Sequence, residues 1–429
     1  METMNRQKSG YRWVVFGVVM FTYFLVIGQR SAPGLITDQL MRDFGVSASV
    51  IGLTFSIQFF AYAGLQIPSG LLSDRFGPNR FLIAGALLAG LGTMIYSLAG
   101  SEYGLMLGRL LVGIGDSMIF VNLVLIFTQW FAAHEFVKLL GWTAILGSVG
   151  AIYASLPFSM WIAYAGWRIP FLVTGAVLVV MSLFLYGVLI WQPQKRFPPE
   201  NSGPAAASKT RVSVWQTLLS LASSRQAWAL FLCHFGLVGT FTGFIGSWGV
   251  PYAIEVFGMT RLEASRLMMY GLIGSLFAAP VVSWLASRTG MLKLVYTAVH
   301  GLVLMSWLSW FLSGTSPSYP LVVLFIVLTG VGLGASSLTF ALLRPSFPAD
   351  VVGVATGFAN TGGFVSAILL PILFGNVLDL FPPEAASLGY HYAFAVPAAF
   401  SLAGVIGVLL VREAGRKPAR HEARSGVSI

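Results

Sequence analysis

The sequence predicts an all-α membrane protein: twelve transmembrane helices in two pseudo-symmetric six-helix halves. Three observations carry that prediction. Only 9% of the 429 residues are charged while 56% are hydrophobic, and mean hydropathy is +0.81, whereas a soluble domain carries roughly 25% charged residues. Apolar runs long enough to span a bilayer, which takes about 18 or more residues, recur about a dozen times along the chain. One polar stretch divides them into six and six.

Taken in order, the first six spans are expected at Tyr11 to Thr37, Ser49 to Leu72, Phe81 to Ala99, Tyr103 to Trp130, Val137 to Tyr164 and Arg168 to Trp191. The first run is too long for a signal-peptide core and lacks a small-residue cleavage site before the next span, so it is read as a helix of the mature protein. The turns at Gly100 to Glu102 and Ala165 to Trp167 are short and force their neighbours to run antiparallel. Residues 192–227 then hold Pro193, Pro198, Pro199, Asn201, Ser202, Gly203 and Pro204 with Lys195, Arg196, Lys209 and Arg211, a composition that cannot cross hydrocarbon. This is the linker between an N-terminal half, residues 1–191, and a C-terminal half, residues 228–412. The second set of spans is expected at Trp228 to Ile254, Ala264 to Ala286, Leu292 to Ser313, Leu321 to Leu342, Val351 to Leu378 and Tyr390 to Val411, and residues 413–429 form a basic tail.

Charge fixes the orientation. The net charge of +10 is not gathered into one basic patch with interleaved aromatics, as a nucleic-acid face would need. The bases sit at alternate connections instead: Arg6, Lys8 and Arg12 before the first span, the linker cluster, and Arg412, Arg416, Lys417, Arg420 and Arg424 in the tail. By the positive-inside rule these segments, and hence both termini, are cytoplasmic. The intervening loops, with Asp38, Asp43, Glu102, Glu255, Glu263, Asp379 and Glu384, face outward from a bacterial inner membrane. Cys233 is the only cysteine, so neither a disulfide framework nor a Cys-based metal site is available. No cofactor or metal is expected, and the unit is expected to be a monomer in the bilayer.

An ionisable residue inside a span is disfavoured by roughly 2.5 to 3.5 kcal/mol, which makes each one a functional candidate. Three stand out, all in the N-terminal half: Arg30 in the first span, and Arg109 and Asp116 in the fourth. Arg109, Gly113 and Asp116 share one helix face at i, i+4 and i+7, with the glycine leaving room beside the charges. Asp116 lies about 10 Å along the axis from Arg109, so its carboxylate is only partly compensated from there. A carboxyl group that titrates in the working pH range can take up a proton on one side and release it on the other. The bland alternative is a fixed Arg109–Asp116 bridge between helices.

Arg30 shares a face with Tyr23 and Gly34 and offers a planar fork of donors for a carboxylate or phosphate; alternatively it pairs with Asp116 across the bundle, and the two arrangements can alternate within one cycle. Gln58, Tyr62 and Gln66 repeat every four residues along the second span as a polar stripe. Trp248 and Tyr252 are four apart in the seventh span, beside Gly246, Gly249 and Pro251, where that helix can bend. Asn360 lies in the glycine-rich stretch Gly357 to Gly363 of the eleventh. Tyr62, Gln58, Trp248, Tyr252 and Asn360 are the residues expected to line a binding cavity with Arg30. His234 and His300, the other imidazoles at mid-span, are expected to be packing residues.

The stretch GLLSDRFGPNR, with Gly70, Asp74, Arg75, Gly77 and Arg80, resembles the hinge between the second and third helices of major facilitator superfamily transporters. It has a worn counterpart after the eighth span, Trp284 to Gly290, in which Ser287 takes the place of the acid. The resemblance covers nearly the whole chain. It implies a duplicated six-helix plan, a substrate site between the halves, and a role for Asp74 with Arg75 in latching the cytoplasmic side. More narrowly, four positions look like the anion:cation symporter branch, which includes proton-coupled sugar-acid importers. Arg30 matches its first-helix arginine, Tyr62 its second-helix tyrosine, Arg109 and Asp116 its fourth-helix arginine and proton-coupling acid, and Asn360 its eleventh-helix asparagine. The chain departs from that branch at Gln29, where an acid is common, and in lacking a fifth-span glutamine. It lacks both the seventh-helix arginine of organophosphate antiporters and the fifth-helix Gly-Pro pair of drug exporters.

These readings converge on a transporter, not an enzyme, that imports a small organic monoanion with protons by alternating access. Arg30 holds the anion, and Asp116 with Arg109 couples protons. Export of drugs or hydrophobic compounds, transport of amino acids, and a non-transporting receptor are the alternatives.

Overall fold

A computed structural model describes residues 9–193, 214–348 and 351–412; the basic tail and most of the linker fall outside these residues. Among the described residues every regular element is helical, and twelve helical segments are long and apolar enough to cross a membrane. Six precede the linker: Tyr11–Leu35, Ala48–Gln66, Pro78–Leu98, Glu102–Trp130, Lys138–Ala165 and Arg168–Trp191. Six follow: Arg225–Ser247, Arg261–Thr289, Leu292–Leu312, Tyr319–Ser346, Val352–Leu378 and Pro383–Leu410.

Local chemistry sets the boundaries. The Ser47 hydroxyl caps the second helix by accepting from the Val50 amide at 3.5 Å, and Thr260 and Glu263 cap each other reciprocally at the start of the eighth. The second helix runs on to Phe76 and stops at Gly77, whose φ of +89° is a region where a side chain is strained. Pro78 then opens the third helix at a position where its missing amide hydrogen costs nothing. The hinge motif is thus a helix end, a left-handed glycine and a helix start. Gly70 lies within the helix and Arg80 is exposed, whereas the side chains of Asp74 and Arg75 lie outside those described. Ser73 hydrogen-bonds Asn122 of the fourth span, and Asn79 donates to the Leu189 carbonyl of the sixth at 3.3 Å. One detail differs from expectation, in that residues Val214–Ala222 of the linker form a helix; the seventh span breaks at Trp248, beside the glycines and proline where the sequence allows a bend, before a further short helix, Gly249–Phe257.

Exposed large side chains such as Phe60, Leu98, Tyr103, Leu183 and Leu312 lie on the outside of the bundle, as expected where lipid rather than water is the solvent. The two halves meet mainly through the second and eleventh helices. Hydrogen bonds between them cluster at the end of the bundle away from Tyr11 and Arg412, called here the far end. Arg261 of the C-terminal half grips the Asp38 carboxylate with both terminal nitrogens, at 2.8 and 2.7 Å, and donates to the Leu35 carbonyl. Asp379 accepts from the Ala48 and Ser49 amides, each at 2.9 Å, so an acid from one half satisfies the open N-terminus of a helix in the other. Thr37 Oγ1 donates to Ser247 O and Ser56 Oγ to Ile368 O, both at 2.6 Å, and Ser155 Oγ donates to Ser265 O at 2.7 Å. Toward the other end, the halves touch through the rings of Tyr62 and Phe364, 4.7 Å apart.

This closure is testable because Cys233 is buried. Breaking a buried ion pair from one side costs about 3–5 kcal/mol, so Asp38→Asn should populate states in which the far end is open. With Ser265→Cys, a buried position at the closed seam, maleimide labelling should accelerate by roughly tenfold or more, the effect of about 1.4 kcal/mol. An unchanged labelling rate would mean that the Asp38–Arg261 pair does not hold the far end shut.

Candidate functional site

The site is assembled by close helix packing around the fourth span. Its helix Glu102–Ser117 is interrupted at Met118 and resumes as Phe120–Trp130, which leaves Asp116 at the last turn of the first piece. A Cβ on Gly113 would run into the Gln58 carbonyl and come within 2.9 Å of Ala61 Cβ, so this glycine sets how near the second helix can come. That approach brings Gln58 to Asp116.

Asp116 is 1% exposed and accepts three side-chain donors. Arg30 Nε reaches Oδ2 at 2.9 Å, Gln58 Nε2 reaches the same oxygen at 2.8 Å, and Gln29 Nε2 approaches Oδ1 at 3.4 Å. Gln29 is itself held by Thr93, whose hydroxyl donates to Oε1 at 3.3 Å. The Arg30 guanidinium lies over the Tyr62 ring at 4.7 Å, a cation–π contact. Of the two sequence alternatives for the carboxylate, the pairing with Arg30 is the one formed.

Arg109 behaves differently. Among the described residues no carboxylate lies within ion-pair distance of it. Its Nη2 makes a long hydrogen bond to the Arg30 carbonyl at 3.4 Å, its Nε is buried without a partner, and its charge rests over the Tyr96 ring at 5.5 Å. The buried cluster therefore contains two guanidinium groups and one carboxylate.

Two chambers open on it. The larger, of ≈ 290 Å³, is lined by Arg30 and Arg109 together with apolar residues of both halves, among them Phe55, Phe59, Phe241 and Met268. The smaller, of ≈ 240 Å³, is mixed in character: Tyr23, Arg30, Tyr62, Gln66 and Asn360 line it together with Ile119, Phe120 and Phe364. Arg30 and Phe364 belong to both, with the Tyr62–Phe364 ring contact between them.

Arg30, Tyr62 and Asn360 border one cavity system. Gln58 instead lies behind Asp116, fully buried, as a partner of the carboxylate. Trp248 and Tyr252 do not reach either chamber. The break at Trp248 turns both side chains into the core of their own half, where aromatic partners are abundant. Trp248 stacks on Phe374 at 5.9 Å and donates to the Pro371 carbonyl at 3.0 Å, and Tyr252 accepts from Trp310 Nε1 at 2.8 Å. Trp248 borders a separate far-end cavity of ≈ 410 Å³ that also holds Asp38, Glu255 and Asp379. His234 and His300 pack as anticipated: His234 Nδ1 lies 3.3 Å from Thr339 Oγ1, and His300 stands edge-on to Tyr296 at 4.6 Å.

Gln29 and Phe364 were missed as site residues. Gln29 registers in the sequence only as the absence of an acid, yet as an amide it can give one hydrogen bond to Asp116 and accept another from Thr93. Phe364 is one apolar residue among many, and no sequence signal marks it.

A helical bundle in two halves, closed at one end around a buried charged cluster with a cavity beside it, is the architecture of a membrane transporter. The sequence profile of the Major Facilitator Superfamily matches residues 19–371, and the chain belongs to that family. The probable sulfoacetate transporter SauU of Cupriavidus necator is 27% identical over 87% of this chain and 89% of its own length. The probable galactarate/D-glucarate transporter GudP of Escherichia coli is 24% identical over 94% and 96%, and the D-galactonate transporter of Escherichia coli is 22% identical over 95% and 97%. Each of these three relatives is named as a transporter of an organic acid. In fold it matches the crystal structure of a bacterial homolog of the human lysosomal transporter Spinster, in an inward-facing and unoccupied conformation. The TM-score is 0.73 at 16% identity, covering 94% of this chain and 96% of that one.

The packing argument yields a stability test. Gly113→Val forces the second and fourth helices apart, and such overpacking costs about 1–3 kcal/mol. The melting temperature of the purified protein should fall, whereas Gly64→Ala, with open space around its Cβ position, should melt like the parent. Equal melting of the Gly113 variant and the parent would remove that glycine as the determinant of the Gln58–Asp116 contact.

Proposed function

We propose that the protein imports a small organic monoanion together with at least one proton by alternating access, with both termini on the cytoplasmic side of a bacterial inner membrane. The observation that carries this reading is the charge imbalance of the buried cluster: among the described residues Arg109 has no counter-ion, and the larger chamber borders it. An uncompensated buried cation costs several kcal/mol, and a bound anion would relieve that cost. The names of the relatives, all transporters of acids, agree with an anionic solute.

Arg30 supplies the coupling. Its Nε is engaged by Asp116, so carboxylate and substrate compete for one guanidinium. A proton on Asp116 removes the competitor and frees Arg30 for the anion. Loss of the proton on the other side of the membrane restores the Arg30–Asp116 pair and expels the substrate. Tyr62 and Asn360 line the path beside Arg30, and Asp74 with Arg75 forms the latch on the cytoplasmic side. With the far end outward by the positive-inside rule, the closed far end makes this an inward-facing state. One proton with one monoanion moves no net charge, so the membrane potential, worth about 2.3 kcal/mol per charge per 100 mV, would not drive uptake, and the pH gradient would.

Proteoliposomes test this directly. Uptake of an organic acid should follow an imposed pH step; it should ignore an imposed potential if one proton accompanies each monoanion and respond to it if two do. In Asp116→Asn, pH-driven uptake should collapse while counterflow exchange survives; loss of both would assign Asp116 a structural role. Arg30→Gln should abolish acid binding, and unchanged binding would end the anion reading.

A further inference from the structure

We propose that the transported anion has an apolar body: a compact aryl or alkyl monocarboxylate whose acid group lies between Arg109 and Arg30 while its body fills the larger chamber. The inference deepens the proposed anion transport and rests on it. It departs from the sugar acids named for two of the relatives, which carry a hydroxyl on nearly every carbon.

The chamber itself makes the argument. Apart from the two guanidinium groups, its side chains are overwhelmingly apolar, with Leu35, Phe55, Phe59, Phe241, Met268 and Leu272 among them. Three hydroxyls border it, and all three hydrogens are already committed to backbone carbonyls. Ser31 donates to Ile27 O at 3.3 Å, Ser155 to Ser265 O at 2.7 Å, and Thr242 to Val238 O at 2.7 Å. No amide side chain lines the chamber; Gln66 and Asn360 belong to the smaller one. A polyhydroxylated body seated here would therefore find few partners, and in an apolar pocket even one added hydroxyl is rejected roughly a hundredfold.

Size narrows the body further. An apolar cavity of about 150 Å³ accepts benzene, so ≈ 290 Å³ takes one ring with a short side chain or a branched alkyl chain of like volume. The charged end is fixed by Arg109. Arg109 borders the chamber and its buried Nε has no partner, whereas Arg30 Nε is already occupied by Asp116. The planar fork of a guanidinium matches a carboxylate.

The experiment uses the purified full-length chain, by thermal shift and then by competition in counterflow, with 3-phenylpropanoate, D-gluconate and 3-phenylpropanamide as probes. The expected result is that phenylpropanoate raises the melting temperature, that gluconate needs at least roughly a hundredfold higher concentration for the same shift, and that the amide has no effect. Gluconate binding as tightly as phenylpropanoate would overturn the apolar-body inference and leave anion transport standing. The neutral amide binding as well as the acid would overturn the anion reading itself, and no shift with either acid would overturn both. Arg109→Gln should weaken phenylpropanoate at least tenfold; unchanged affinity would overturn the placement of the acid group. Ile245→Asn puts an amide into the chamber wall without touching Arg109, and it should narrow the gap between the two acids by tenfold or more. A gap that stays as wide would show that the chamber does not hold the body.

Discussion

The site depends on one contact, the 2.9 Å bond between Arg30 Nε and Asp116 Oδ2. Neither group tolerates hydrocarbon alone, and each is placed by a different helix, so the first and fourth spans are held in register by their mutual need. Gln58 and Gln29 add neutral donors that saturate the carboxylate without adding charge. The consequence reaches beyond the pair: with Asp116 spent on Arg30, Arg109 is left with an aromatic face and a backbone carbonyl. The asymmetry of the cluster follows from which arginine won the acid.

Interactions at the far end are of another kind. The Asp38–Arg261 pair is about as buried as the central one, but Asp38 and Asp379 border the ≈ 410 Å³ far-end cavity, from which water can reach them. The central Asp116 carboxylate has no exposed surface, so only a proton on it or an anion at Arg30 substitutes for the pair. Strength that depends on the occupant is the property a coupling site needs, and strength that depends on hydration is what a gate needs. The bundle places the first kind of contact at mid-span and the second toward the far end.

Much of the architecture was legible in the sequence because lipid imposes a coarse rule. A backbone that crosses hydrocarbon must satisfy itself as a helix, so runs such as Arg168–Trp191 and Leu292–Leu312 declare themselves by length and hydropathy. The expense of buried charge marked Arg30, Arg109 and Asp116 in the same way. Which of them pair was not legible, since that depends on how closely helices distant in sequence approach, and the approach is set by Gly113 meeting the Gln58 carbonyl. Trp248 and Tyr252 were misjudged for a related reason: their spacing of four gives a shared helix face, but the helix breaks at Trp248 and the aromatics of the C-terminal half capture both rings. Gln29 was overlooked because an amide where an acid is common reads as a loss, although here it gains a bond to Asp116.

The Asp379 carboxylate serves as the cap for a helix belonging to the opposite half. When the halves separate, the Ala48 and Ser49 amides and that carboxylate must each be rehydrated before the helix end and the acid are satisfied again. Parting the seam would therefore take up water, and its equilibrium would be tied to the osmolality of the medium that bathes the far end.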